Sequence, residues 1–329
     1  MAVLLVLFGL LGLGAIISSR VNAEIEAATP DLIEGSEATD SLMGTAGTDL
    51  LSGLGGDDTL RAGDDLDIVD GGAGDDLLAG EGGDDSLYGR DGADDLQGGA
   101  GNDFLDGGPG DDLLTGGAGD DTLEGERGFD TLEGNGGRDL IRGGDNADII
   151  NGGLDDDVIL GGTGSDTVAG NVGNDTLQGD AGADRLLGGA GDDVITGVFD
   201  GSFDGKFSRP DIIDRDSLDG GDGADQLVLG SGDTAVGGDG ADSFVSGTWV
   251  AADQAPVIRD FDRSVDNVAI LVPVSYVGAL AVTIEPVDPL AMTPTQKVLL
   301  DGAVVALVDG TAAAILPQDV RVVRSADVL

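Results

Sequence analysis

The 329-residue chain contains no histidine and no cysteine. Without imidazole or thiolate, most zinc, copper, haem and iron–sulfur chemistry is excluded. Neither a Ser–His nor a Cys–His nucleophile can be assembled, and no disulfide can staple the fold. Aromatic residues amount to 3%, too few for a compact core built on Phe, Tyr and Trp. Basic residues are scarce too: 15 Lys plus Arg face 64 Asp plus Glu, for a formal charge of −49. A nucleic-acid partner is excluded on that ground, because phosphate binding needs a basic surface.

What is abundant is carboxylate and glycine, the latter at 61 residues. So acidic a chain repels itself and stays expanded unless a cation compensates it. Carboxylates and backbone carbonyls are hard oxygen ligands of the kind that hold Ca2+.

From Gly35 to Thr196 the chain divides every nine residues, without insertion or deletion, into eighteen units. Position one is Gly in seventeen of them, with Ala62 the exception. Position four is Gly in fourteen, with Ala38, Asp65, Asn146 and Asp155 standing in. Position six is Asp, and position eight Leu, Ile or Val, in all eighteen. Gly at positions one and four is expected to take φ > 0 in a tight turn, which aims loop carbonyls at a common point. Asp at position six adds a charged oxygen. The last three residues are expected to be extended, with position eight inward. Each unit is then a turn plus a very short strand, and two units close one coil.

The fold class predicted is all-β: a right-handed parallel β-roll, a calcium-stapled β-solenoid with a small β-rich C-terminal cap. Nine coils stacked at about 4.8 Å would be roughly 40 Å long. One medium apolar side chain per nine residues cannot offset an ordering cost of about 1–2 kcal/mol per residue. A metal must supply the remainder.

The units resemble the RTX, or haemolysin-type calcium-binding, nonapeptide G-G-x-G-x-D-x-U-x. The resemblance implies that each Ca2+ lies between loops on the same side, from units n and n+2, held by loop carbonyls and the position-six Asp. Asp76 would then share an ion with Asp94, and Asp85 with Asp103. The candidate metal ligands are Asp49, Asp58, Asp76, Asp85, Asp94, Asp103, Asp112, Asp121, Asp130, Asp139, Asp148, Asp157, Asp166, Asp175, Asp184 and Asp193, with Asp225 and Asp242 beyond the main array. Eighteen units leave at most sixteen inter-loop sites. The weakest are expected around residues 62–70, where the leading Gly is lost, and around 143–157.

Residues 1–23 read as a signal peptide or membrane anchor, because Ala2–Ile17 is one apolar run. As a helix it would span roughly 24 Å, short of the hydrocarbon core of a bilayer. Residues 24–34 read as a linker and 35–196 as the main roll. An insert at 197–210 carries Phe199, Phe203, Phe207 and Pro210; a second short stack follows at 211–245, either continuous with the first or offset from it. Residues 246–329 read as a cap, with Trp249 in its core. Within it Val257-Ile258-Arg259-Asp260-Phe261, Asp266 and Val268–Leu271 resemble the I-x-D-F…D-x-I-x-L segment that closes RTX arrays. That resemblance also implies a signal for a type I secretion channel.

The function expected is that of a secreted or cell-surface calcium-binding protein that folds on meeting Ca2+ after export. A membrane is a partner only through residues 1–23 if they are retained. No enzyme is expected: acidic pairs such as Asp75–Asp76 recur with the repeat, whereas a catalytic pair is singular. The alternative is a calcium-dependent adhesin that binds carbohydrate or a cell surface. Against it, outward positions such as Leu77, Asp95, Phe104, Thr122 and Arg185 vary too much to form a regular face.

Overall fold

The computed structural model describes residues 30–198, 215–247, 250, 254–272, 281–286, 295–309 and 315–324. The apolar N-terminal run, the phenylalanines of the insert and Trp249 lie outside the described residues. Among the described residues no helix is long and apolar enough to cross a membrane.

Strand β1 (Asp31–Ser36) opens a series of extended segments that ends at β29 (Val320–Arg324). In the array each runs from position seven of one unit through position three of the next, as in Leu77–Gly82, Ser86–Asp91 and Asp95–Ala100. These strands are six residues long, longer than the very short strand expected, because the chain does not turn at position one. Left-handed φ falls on positions two and four, as at Gly72 (109°) and Gly74 (135°), while no position-one glycine adopts it. Position two tolerates this backbone even with a side chain, at Leu54, Glu81 and Arg90. Asp65, Asn146 and Asp155 keep it at position four, with φ of 69°, 81° and 72°.

Position one needs glycine for a different reason. A Cβ on Gly98 would lie 2.5 Å from Asp103 Oδ2 and 2.7 Å from the Gly116 carbonyl oxygen. On Gly161 it would meet Asp166 Oδ2 at 2.5 Å and the Gly179 oxygen at 2.7 Å. The glycine gives room to a carboxylate rather than freedom to a turn.

Side chains alternate along a strand, so positions six, eight and one of successive units share the inner face. Leu51, Leu60, Val69, Leu78 and their equivalents through Ile195 are fully buried and form one continuous core. Alternate strands pair in parallel: Leu60 with Leu78, Leu78 with Leu96, and likewise Leu87 with Leu105. Two sheets result, of fourteen and fifteen strands, one on each side of the coil.

The pairing continues across the insert. Arg185 pairs with Ser217 and Val194 with Gln226, so the strands after it extend the same two sheets. Both sheets also run on into the C-terminal region. Strand β25 (Asn267–Val272) pairs with Ser243–Gly247 and with β29, while β24 (Val257–Ile258) pairs with Thr234–Gly240. Strand β28 (Ala303–Val308) then joins β24 in parallel, and β27 (Gln296–Leu300) and β26 (Val282–Pro286) complete that sheet as antiparallel strands. Phe244 and Phe261 pack at this end of the core, ring centroids 6.2 Å apart.

Candidate metal centre

Position six brings its aspartates into two rows, one beside each set of loops. In every coil the backbone N–H of one aspartate donates to the Oδ1 of the aspartate in the same row of the next coil. Asp58 donates to Asp76 at 2.7 Å, Asp76 to Asp94 at 2.8 Å and Asp94 to Asp112 at 2.8 Å. The other row runs through Asp67, Asp85, Asp103 and Asp121, each pair at 2.8 Å. It passes the insert through Asp193 and Asp225, and continues from Asp225 to Asp242 and from Asp242 to Asp266. Asp76 therefore neighbours Asp94, and Asp85 neighbours Asp103. Asp67, in the stretch where the weakest sites are expected, stands in the row like the rest.

The second oxygen is different. From Asp58 through Asp175 at every ninth residue, and at Asp193, Asp225 and Asp242, Oδ2 is buried with no hydrogen-bond partner. A buried carboxylate oxygen without a partner costs at least about 1–3 kcal/mol, and here the cost repeats coil after coil. The aspartates themselves are 0–3% exposed from Asp49 through Asp175.

At fourteen aspartates of the two rows burial is the main cause that pushes the carboxyl upward, and nearby like charges add to it; the amide bonded to Oδ1 opposes both. Asp85, Asp94, Asp112, Asp121, Asp148, Asp157 and Asp193 are raised to about 7. Asp67, Asp76, Asp103, Asp130, Asp139, Asp166 and Asp242 are raised to about 6.

Among the described residues no three acidic side chains converge on one point, so a cation here must draw on backbone oxygens as well. Those are at hand. A Cβ on Gly128 would lie 2.8 Å from Asp130 Oδ1 and would collide with the carbonyl oxygen of Gly110 in the coil before. The crevice at position four is thus floored by a carbonyl and walled by a carboxylate, and it is open because the residue has no side chain. Bare buried carboxylate oxygens and inward carbonyls form an all-oxygen donor set that fits Ca2+.

A further row went unnoticed in the sequence. At position five, Asp75 Oδ1 accepts the N–H of Ala93 at 2.9 Å and Asp84 Oδ1 that of Asn102 at 2.8 Å. Asn102 then accepts from Asp120 at 2.7 Å, and Asp120 from Arg138 at 3.0 Å with an added ion pair at 2.8 Å. The signal was the frequency of Asp and Asn at that position. Asp260 was legible only as part of a motif. Its carboxylate accepts the N–H groups of Gly237 and Gly238, both at 2.8 Å, and so ties the C-terminal region to a glycine pair of the repeat.

No curated protein matches the chain. Among solved structures it is similar to a hyperactive, Ca2+-dependent, β-helical antifreeze protein from an Antarctic bacterium. The two are 21% identical, the match covers 70% of this chain and 86% of that one, and the TM-score is 0.44. It is also similar to the AlgE6R3 subunit of the Azotobacter vinelandii mannuronan C5-epimerase, with 26% identity, coverage of 43% and 79%, and a TM-score of 0.29. The family model for the RTX calcium-binding nonapeptide repeat matches in overlapping copies across residues 34–195 and again over 214–233. Those matches span more than half of the sequence, and the chain belongs to the RTX calcium-binding nonapeptide repeat family.

Proposed function

We propose that this protein is an extracellular, non-catalytic scaffold that is folded by calcium after export. The observation that supports it is the double row of buried Oδ2 atoms without partners. In this reading the position-six aspartates from Asp58 to Asp193, with Asp225 and Asp242, are the charged ligands, and the carbonyls of the loops complete each set. Bound Ca2+ supplies positive charge between successive loops. The chain itself supplies the rest: its glycines leave room for the carboxylates, its leucine ladder holds the coils in register, and its amides orient each Oδ1.

Extracellular calcium suits this arrangement, because modules of that compartment bind at about 10⁻⁴–10⁻³ M. At cytosolic calcium such sites stay unfilled and the chain stays unfolded, as passage through a secretion channel requires. Acidic pairs such as Asp75–Asp76 recur with the repeat, which supports a scaffold over an enzyme. The test is far-UV circular dichroism of the full chain during calcium titration. A β signal that develops cooperatively between about 0.1 and 1 mM Ca2+ and is erased by EGTA is expected. A signal indifferent to EGTA would refute the reading.

A further inference from the structure

Among the described residues every buried carboxylate belongs to the two aspartate rows except one. Asp180 is 4% exposed and stands at position two of its unit, with a left-handed φ of 67°. In the two preceding coils of the same sheet that place is held by Gly144 and Gly162. Asp180 accepts a hydrogen bond from the side-chain amide of Gln178, and no cationic group pairs with it among the described residues. Burial raises its carboxyl, and only that amide opposes the rise. A buried charge is ordinarily paired with an opposite one. This one is matched by a neutral group, at a position where glycine would be easier on the backbone.

Beside it lies a cavity. A trough of about 500 Å³ crosses the outer face of the strands Thr122–Arg127, Leu140–Asp145, Val158–Thr163 and Thr176–Ala181, a volume within the range of small-molecule sites. Its floor follows position two, where Glu126, Gly144, Gly162 and Asp180 stand on successive rungs. The two middle residues have no side chain, so the floor is bare between a carboxylate at either end. Three strand spacings, roughly 14 Å, separate those ends. The arginines on the walls are already engaged: Arg142 meets Glu124 at 3.1 Å and Arg127 meets Asp145 at 3.8 Å. Glu126 and Asp180 are left as the two uncompensated charges of the lining.

We infer that this trough binds a linear aliphatic polyamine, with one terminal ammonium at Asp180, the other at Glu126, and the methylene chain laid over Gly144 and Gly162. An anion would meet a lining that is net negative. A neutral ligand would leave the charge of Asp180 unmatched. A single metal ion cannot reach both carboxylates, and no three acidic side chains converge on one point among the described residues. Two ammonium groups joined by an apolar chain satisfy both ends at once through charge-assisted hydrogen bonds, while Leu160 on the wall offers the methylenes an apolar contact.

A chain of formal charge −49 also collects polyamines without specificity, so the test compares equal removals of charge. Isothermal titration calorimetry of the full chain with spermine, in millimolar calcium and physiological salt, is expected to show one tight site per chain. Asp180→Asn should weaken it about tenfold or more, and Glu126→Gln about three- to tenfold. The shorter 1,4-diaminobutane, which engages one end only, should bind about tenfold more weakly than spermine. Asp95→Asn with Glu133→Gln removes two charges from the opposite sheet and should leave the tight site unchanged. Equal weakening by this pair and by Asp180→Asn with Glu126→Gln would overturn the inference, as would the absence of a tight site. Glu126 is exposed, so its variant reads the site even if Asp180→Asn fails to fold. Spermine should also raise the melting temperature of the calcium-loaded wild type more than that of Glu126→Gln; an equal rise in both would count against the trough.

Discussion

At the scale of the residue, two glycines that read alike in the sequence do different work. Gly98 is required because a carboxylate and a carbonyl occupy the space a Cβ would fill, whereas Gly99 eases a left-handed φ of 115° at a position where Leu54, Glu81 and Arg90 keep φ of 74–84° with side chains. Spacing shows that a position needs glycine, but not whether it needs the freedom of the backbone or the missing atom. For this reason position one was expected to turn and instead lies within a strand. Gly98→Ala should cost about 1–3 kcal/mol by overpacking against Asp103, and it should weaken calcium binding at that loop. Thermal melting in saturating calcium, beside dialysis of the same variant, checks both. The aspartate row itself was legible, since position six repeats without exception. Which of its oxygens is bare was not, because that depends on an amide one coil away.

At the scale of the element, the repeat displays its strands through position eight alone. The end of the array was harder to see. The residues from Val257 onward keep neither the nine-residue spacing nor the glycines, yet Asp266 joins the aspartate row and Val268 pairs with Phe244 as another member of the inner ladder. The chain keeps the geometry of the coil after its sequence has left the motif, because strand pairing and the inner face select only an aspartate and an apolar residue two positions apart. Asp260 fastens this region through the amides of Gly237 and Gly238. Asp260→Ala should raise hydrogen exchange in β24 and in Gly237–Gly238 by roughly tenfold. Exchange in the strands from Leu77 through Ala190 should stay as it was, since repeat arrays couple chiefly between neighbours.

At the scale of the whole molecule, the balance lies between a thin apolar ladder and a formal charge of −49. Buried position-six aspartates such as Asp85, Asp94 and Asp112 have pKa values raised to about 7 in the fold, against about 3.9 in an unfolded chain. A raised carboxyl favours the folded state below the unfolded pKa, and that contribution is lost as pH rises through the folded value. The calcium-free chain should therefore compact on acidification from pH 7.5 toward pH 5, and calcium should be needed most above pH 7. By the same linkage, calcium and protons compete for these oxygens, so calcium affinity should fall across that window.

Small-angle X-ray scattering of the full chain, in EGTA and in millimolar calcium at pH 7.5, tests the central claim most directly. In EGTA the radius of gyration should approach the roughly 65 Å of an unfolded chain of this length, with partial contraction at pH 5. In calcium it should fall below about 30 Å, as a stack of coils at strand spacing requires. A chain already that compact at pH 7.5 without metal would contradict the account.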